Sequence, residues 1–182
     1  MMTATDSLRK DHLLIEKMIN SLKTISLLLK DGKQIPESIL NNAIDFSINF
    51  TNVCHHGKEE ESLFPNLEKN GMPKEGGPIA RMLYEHEITK DLANSIINAT
   101  KNYISTGDNA ELVKSIDEYI SHVSLHLAKE NQKLFVMADM ILKDQEDAVN
   151  NELGSLENSK LNETGNSREY YEKLVEKINL QK

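Results

Sequence analysis

Residues 54–65 read Cys54-His55-His56-Gly57-Lys58-Glu59-Glu60-Glu61-Ser62-Leu63-Phe64-Pro65 and hold two overlapping His-x-x-x-Glu pairs, His55/Glu59 and His56/Glu60. On a helix that spacing puts an imidazole and a carboxylate on neighbouring turns, able to reach one point. A second stretch, His126-Leu127-Ala128-Lys129-Glu130-Asn131-Gln132-Lys133-Leu134-Phe135, repeats the pattern and aligns His55 with His126 and Glu59 with Glu130. Upstream periodicity gives a different register. Val53, Phe50 and Phe46 precede His56 at the spacings by which Val123, Ile120 and Ile116 precede His126. The other alignment puts Asn52, Asn49 and Asp45 in those places, a poor core face. The helical wheel therefore favours His56/Glu60. His55/Glu59 is the alternate pair, either supporting the first or replacing it if Gly57 or Pro65 disturbs the helix.

Chain breakers divide the sequence around these motifs. Asp31-Gly32 with Pro36, the run Asn70–Pro78, and Gly107-Asp108 separate four segments, 6–30, 37–69, 78–106 and 110–143. Pro36 and Pro78 suit first helical turns, and Asp108 suits an N-cap. Each segment carries apolar residues at helical spacing, such as Leu8, Ile15, Met18, Ile19 and Leu22 in the first. The expected fold is all-α, an up-down-up-down four-helix bundle over 1–143 with a short C-terminal helix. Residues 144–182 read as a polar linker to about 166, then an amphipathic segment from Ser167 to Leu180. Its stripe of Tyr171, Leu174, Val175 and Ile178 either docks on the bundle or binds a partner.

Composition narrows the function. Asp and Glu total 29 against 21 Lys and Arg, a net charge of −8 without basic clusters, which argues against a nucleic-acid partner. No apolar stretch approaches the ~18 residues of a membrane span, and the start carries no apolar signal segment, so a cytoplasmic, membrane-free location is expected. The single cysteine, Cys54, forms no internal disulfide and no Cys-based zinc site.

The six histidines are His12, His55, His56, His86, His122 and His126, and each of the four segments holds at least one. His86 shares its face with Ile79, Met82, Leu83, Ala93 and Ile97. His126 and Glu130 lie among Val123, Leu127 and Leu134, and His12 edges the stripe of Leu8, Ile15 and Ile19. One such histidine is ordinarily a hydrogen-bonded core group. Two buried carboxylates arriving with four buried histidines need a shared counter-charge, and a metal supplies it. Imidazole and carboxylate without thiolate suit iron or manganese.

The sequence here resembles the hemerythrin-like, HHE cation-binding domains. The matching elements are Asp11-His12, CHHGKEEESLFP, EGGPIARMLYEHE around His86, and YISHVSLHLAKENQKLFVMAD around His126, spanning about 6–142. The resemblance implies two iron ions (Fe2+/Fe3+) joined by an oxo or hydroxo bridge, with manganese or zinc as substitutes. The ligands it implies are His12, His56, Glu60, His86, His126 and Glu130, with His55 and Glu59 as alternates and His122 a lesser candidate. Oxygen-carrying hemerythrins have a second helix-three histidine where Lys90 stands, and an aspartate on helix four where this chain offers Glu130. The departure implies an open coordination position. Three functions then compete: a di-iron protein binding O2, NO or peroxide for sensing, scavenging or stress protection; a redox enzyme or iron donor for cluster repair, fed by an electron-donor protein; and a metal-gated interaction module.

Overall fold

A computed structural model describes residues 3–179. Among these residues there is no strand, and no helix is long and apolar enough to cross a membrane. Helices α1 (Asp6–Lys30), α2 (37–69), α3 (Pro78–Thr106) and α4 (110–141) form the bundle, each packing on the next, with α1 against α4 closing the ring. The breakers work much as the sequence implies. Gly107 ends α3 at φ +77°, a left-handed conformation that glycine takes without strain. Asp108 does not become the N-cap: α4 starts at Ala110, whose N–H donates to Asp108 Oδ1 at 3.0 Å.

Two of the four helices are not regular. Wider π turns occupy Phe46–His56 and Glu59–Leu63 in α2, and Glu130–Leu134 in α4. A π turn bonds each N–H five residues back, so side chains drift away from a 100° wheel. Pro65 lacks an N–H, and its ring crowds the carbonyl four residues back, which favours the wide turn just before it.

The interior is two apolar cores with a polar layer between them. One core gathers Leu22, Ile25, Leu29, Phe46, Phe50, Ile116 and Tyr119, and the other Leu8, Leu63, Phe64, Leu67, Leu134 and Phe135. Each such side chain contributes ~1.5–3 kcal/mol on burial, and together they hold the polar layer in place.

The polar stretch after the bundle is not a linker. It forms α5 (Glu146–Thr164), which lies along α1 and α2 and buries Val149, Leu153 and Leu161. Three buried positions on so polar a helix give too weak a stripe to read from sequence. Helix α6 (Arg168–Asn179) packs on α1 and α2, with Tyr171, Leu174, Val175 and Ile178 in the same apolar cluster as Phe46 and Phe50. Leu180, the expected end of this helix, lies outside the described residues.

Candidate metal centre

Between the two cores, α1 brings His12, α2 brings His55, His56 and Glu59, α3 brings His86, and α4 brings His126 and Glu130. All seven are at most 1 % exposed. Two sets of donors result, each with its ligand atoms within 4.8 Å of one another: His56, Glu59, His86 and His126; and His12, His55, Glu59 and Glu130. The carboxylates lie between the sets. Glu130 Oε1 is 3.2 Å from His126 Nε2 while its Oε2 is 3.2 Å from His12 Nε2. Glu59 Oε2 is 3.2 Å from His86 Nε2 and 3.8 Å from His55 Nε2.

Glu60, favoured by the wheel, lies in neither set. Its carboxylate is 31 % exposed and accepts a hydrogen bond from His86 Nδ1 at 2.8 Å. The wide turns of α2 explain the difference: they turn Glu59 inward and Glu60 outward, and admit both His55 and His56 to the interior. The histidine missing at Lys90 has a stand-in as well, because the His56 ring stacks on His86 at 3.8 Å and supplies the third imidazole of that set. Lys90 itself bonds Glu87 at the surface. His122 is half-buried, donates from Nε2 to the Glu85 carbonyl oxygen, and joins neither set. Cys54 is outside both; burial pushes its thiol up to about 12, so it stays protonated and is a poor ligand.

The halves α1–α2 and α3–α4 repeat each other contact by contact. His55 Nδ1 donates to Asp11 at 3.2 Å, and His126 Nδ1 donates to Glu85 at 3.1 Å. Each of these carboxylates also takes a lysine ammonium at 2.6 Å, Lys58 for Asp11 and Lys129 for Glu85. His12 Nδ1 donates to Asn131 Oδ1, the residue after Glu130, as His86 donates to Glu60, the residue after Glu59. Phe135 stacks on His12 and Phe64 on His86. With Nδ1 committed outward, these four rings turn Nε2 inward, the arrangement that fixes a ligand's tautomer. The repeat breaks at one place. His56 follows His55, whereas Leu127 follows His126. Asp11, Glu85 and Asn131 were not singled out from sequence as supports. Asp11 and Glu85 were findable, since each sits on the apolar stripe of its helix beside a histidine.

The inward atoms are short of partners. Both oxygens of Glu59 and of Glu130, with Nε2 of His86 and of His126, find no hydrogen-bond partner outside the cluster and face only one another, at 3.2 Å in the closest pairs. Such groups cost ~1–3 kcal/mol each when buried, and more when charged. Protons relieve part of this. Burial opposes a charge on His86, yet Glu130, Glu59 and Glu60 raise its pKa well above the ordinary value, and Glu130 raises that of His12. Burial and the neighbouring His86 hold His56 neutral. A metal ion needs the imidazole lone pairs and must displace those protons. Loading metal-free protein near neutral pH should therefore release protons, read with an indicator dye in weak buffer. Occupancy should fall as pH drops, beginning above the ordinary histidine range because His86 and His12 hold their protons more tightly than a free imidazole. Loading with no acid release would show that His86 and His12 carry no proton to displace.

A family model described as the hemerythrin HHE cation-binding domain matches residues 3–138. No curated protein and no solved structure matches the chain.

Proposed function

The chain belongs to the hemerythrin HHE cation-binding domain family, and from that premise we propose that it holds two iron ions between Glu59 and Glu130 and offers one of them to a small ligand such as O2, NO or peroxide. The observation that carries this reading is the group of buried carboxylate oxygens and imidazole nitrogens that face inward on one another with no hydrogen-bond partner outside the group. All are nitrogen or oxygen donors, which suit iron or manganese, and two shared carboxylates suit a pair of cations. Bound iron supplies one-electron redox chemistry and a coordination place for an exogenous ligand, which no side chain here provides.

The protein residues divide the work unequally. His56, His86 and His126 give one ion three imidazoles, and His12 and His55 give the other two. Leu127, in the place corresponding to His56, brings no donor, so the His12/His55 half keeps the open position. Leu127 also lines a surface cleft of about 260 Å3 between α1 and α4, with Glu16 and Ile19. The cleft's other lining residues, Asn20, Lys23 and Ser124, are polar, and Ile19 and Leu127 are its apolar members. Phe135, packed on His12, limits water on the same side. Repeated turnover would draw electrons from a donor protein, because Cys54 alone cannot cycle through an internal disulfide.

Metal analysis of aerobically purified protein should find about two irons per chain, with near-ultraviolet and visible absorption that colourless zinc protein lacks. NO added to anaerobic ferrous protein should change that spectrum. The variant Leu127→His should keep its iron and lose most of the NO response. Zinc as the sole metal would sink the iron reading, and an undiminished response in Leu127→His would place the ligand on the other half.

A further inference from the structure

The two halves of the centre share one design for orienting a histidine, but they obtain its last member from different places. In the α3–α4 half, Glu85 holds His126 and is itself held by Lys129 and by Arg81, four residues before it on the same helix. In the α1–α2 half, Asp11 holds His55 through Oδ2, which also takes Lys58. Asp11 Oδ1 takes Arg168, at 2.7 Å, from α6. Glu157 of α5 completes the cluster, accepting from Lys58 at 2.7 Å and from Arg168 at 3.2 Å. Both helices lie beyond the residues that match the family.

We propose that Arg168 and Glu157 are positioning residues of the metal centre, which hold Asp11 so that His55 presents Nε2 to the ion of the His12/His55 half. The proposal rests on the two-ion reading above. Helices α5 and α6 are then a working part of one half-site, the half with the open position, and not an appendage to the bundle.

Burial supports this assignment. Lys58 is 0 % exposed under α5 and α6, whereas its counterpart Lys129 is 31 % exposed. The terminal helices exclude water from one outer shell and leave the other wet. Asp11 is fully buried, and Arg168 is the charged donor that its Oδ1 takes, so losing Arg168 leaves that oxygen without its charge-assisted bond. Its carboxylate is then free to turn toward Lys58, and the bond that sets the His55 tautomer weakens. Outer partners of metal-bound histidines typically carry ~10–100-fold in metal affinity.

The test uses full-length protein and Co2+ as the probe, read by the visible absorption of the bound ion. Wild-type protein should take up two equivalents. Arg168→Gln should keep one at wild-type affinity and weaken the other ~10–100-fold, and Arg168→Lys should recover part of the loss because the cation remains. Leu174→Ala loosens α6 through apolar packing alone, and should lower the melting temperature while leaving both affinities unchanged. Wild-type affinity for both equivalents in Arg168→Gln would overturn the proposal. So would equal weakening in Arg168→Gln and Leu174→Ala, which would mean that only docking matters. Wild-type protein that takes up no metal would overturn the two-ion reading itself, and this proposal with it.

Discussion

Changing Glu59 to Ala is expected to leave less than one metal ion per chain, whereas Glu60→Ala retains about two at saturating iron. The carboxylate of Glu59 lies within reach of both donor sets, and that of Glu60 within reach of neither. Removing Glu59 takes a ligand from each ion and also removes negative charge from between two cations, whose repulsion in a dry interior is large. Removing Glu60 deprives His86 Nδ1 of its acceptor, an outer-shell loss that weakens affinity without abolishing the site. Metal-free melting separates the two further. Glu59 faces His86 Nε2 at 3.2 Å and helps to hold its proton, so Glu59→Ala should lose some metal-free stability and, unlike Glu60→Ala, should also lose the stabilisation that metal adds. Anaerobic loading, dialysis and metal analysis decide the matter. Metal lost in Glu60→Ala and kept in Glu59→Ala would show that the helical wheel chose the right carboxylate.

That wheel shows where the sequence was legible. Four helices and their breakers could be read because apolar spacing and Gly or Pro punctuation agree. His12, His86, His126 and Glu130 could be placed inward because each shares a stripe with Ile, Leu, Met or Val. Helix α2 resisted because its wide turns break the assumed period, and a π turn has no signature in side-chain type. For which carboxylate faces inward, the internal match agrees with the structure. It aligns Glu59 with Glu130, and each begins a five-residue π turn that ends at Leu63 or Leu134 and precedes a buried phenylalanine. Similar local sequence produced similar local backbone, which a fixed period cannot represent. Helix α5 was hidden for a different reason. It contributes Glu157 and Lys160 as much as apolar atoms, and charge directed inward looks like charge directed at solvent. The same applies to Lys58, which reads as a solvated lysine in a run of charges and is fully buried.

Lys58→Met should destabilise metal-free protein by about 3–5 kcal/mol, the usual cost of removing one partner from a buried charge cluster. At ~2–4 °C per kcal/mol for a chain of this size, the melting temperature should fall by roughly 6–20 °C. Lys129→Met makes the same chemical change at the corresponding place, from a lysine that sits 2.6 Å from its carboxylate just as Lys58 does. Its ammonium is partly exposed, so water can take over, and about 1 kcal/mol is expected. Acid unfolding adds an independent reading. Burial opposes the charged form of Asp11, but Lys58, His55 and Arg168 outweigh it and hold the carboxyl well below the usual range. A depressed carboxylate contributes stability that is present above its unfolded pKa of ~3.9 and is lost as pH falls through the folded value. Without Lys58 that folded value rises, so the variant should unfold at higher pH than wild type, while Lys129→Met should move less. Equal losses from the two substitutions would mean that α5 and α6 do not keep water from Lys58, and that the halves of the centre are alike in environment as well as in design.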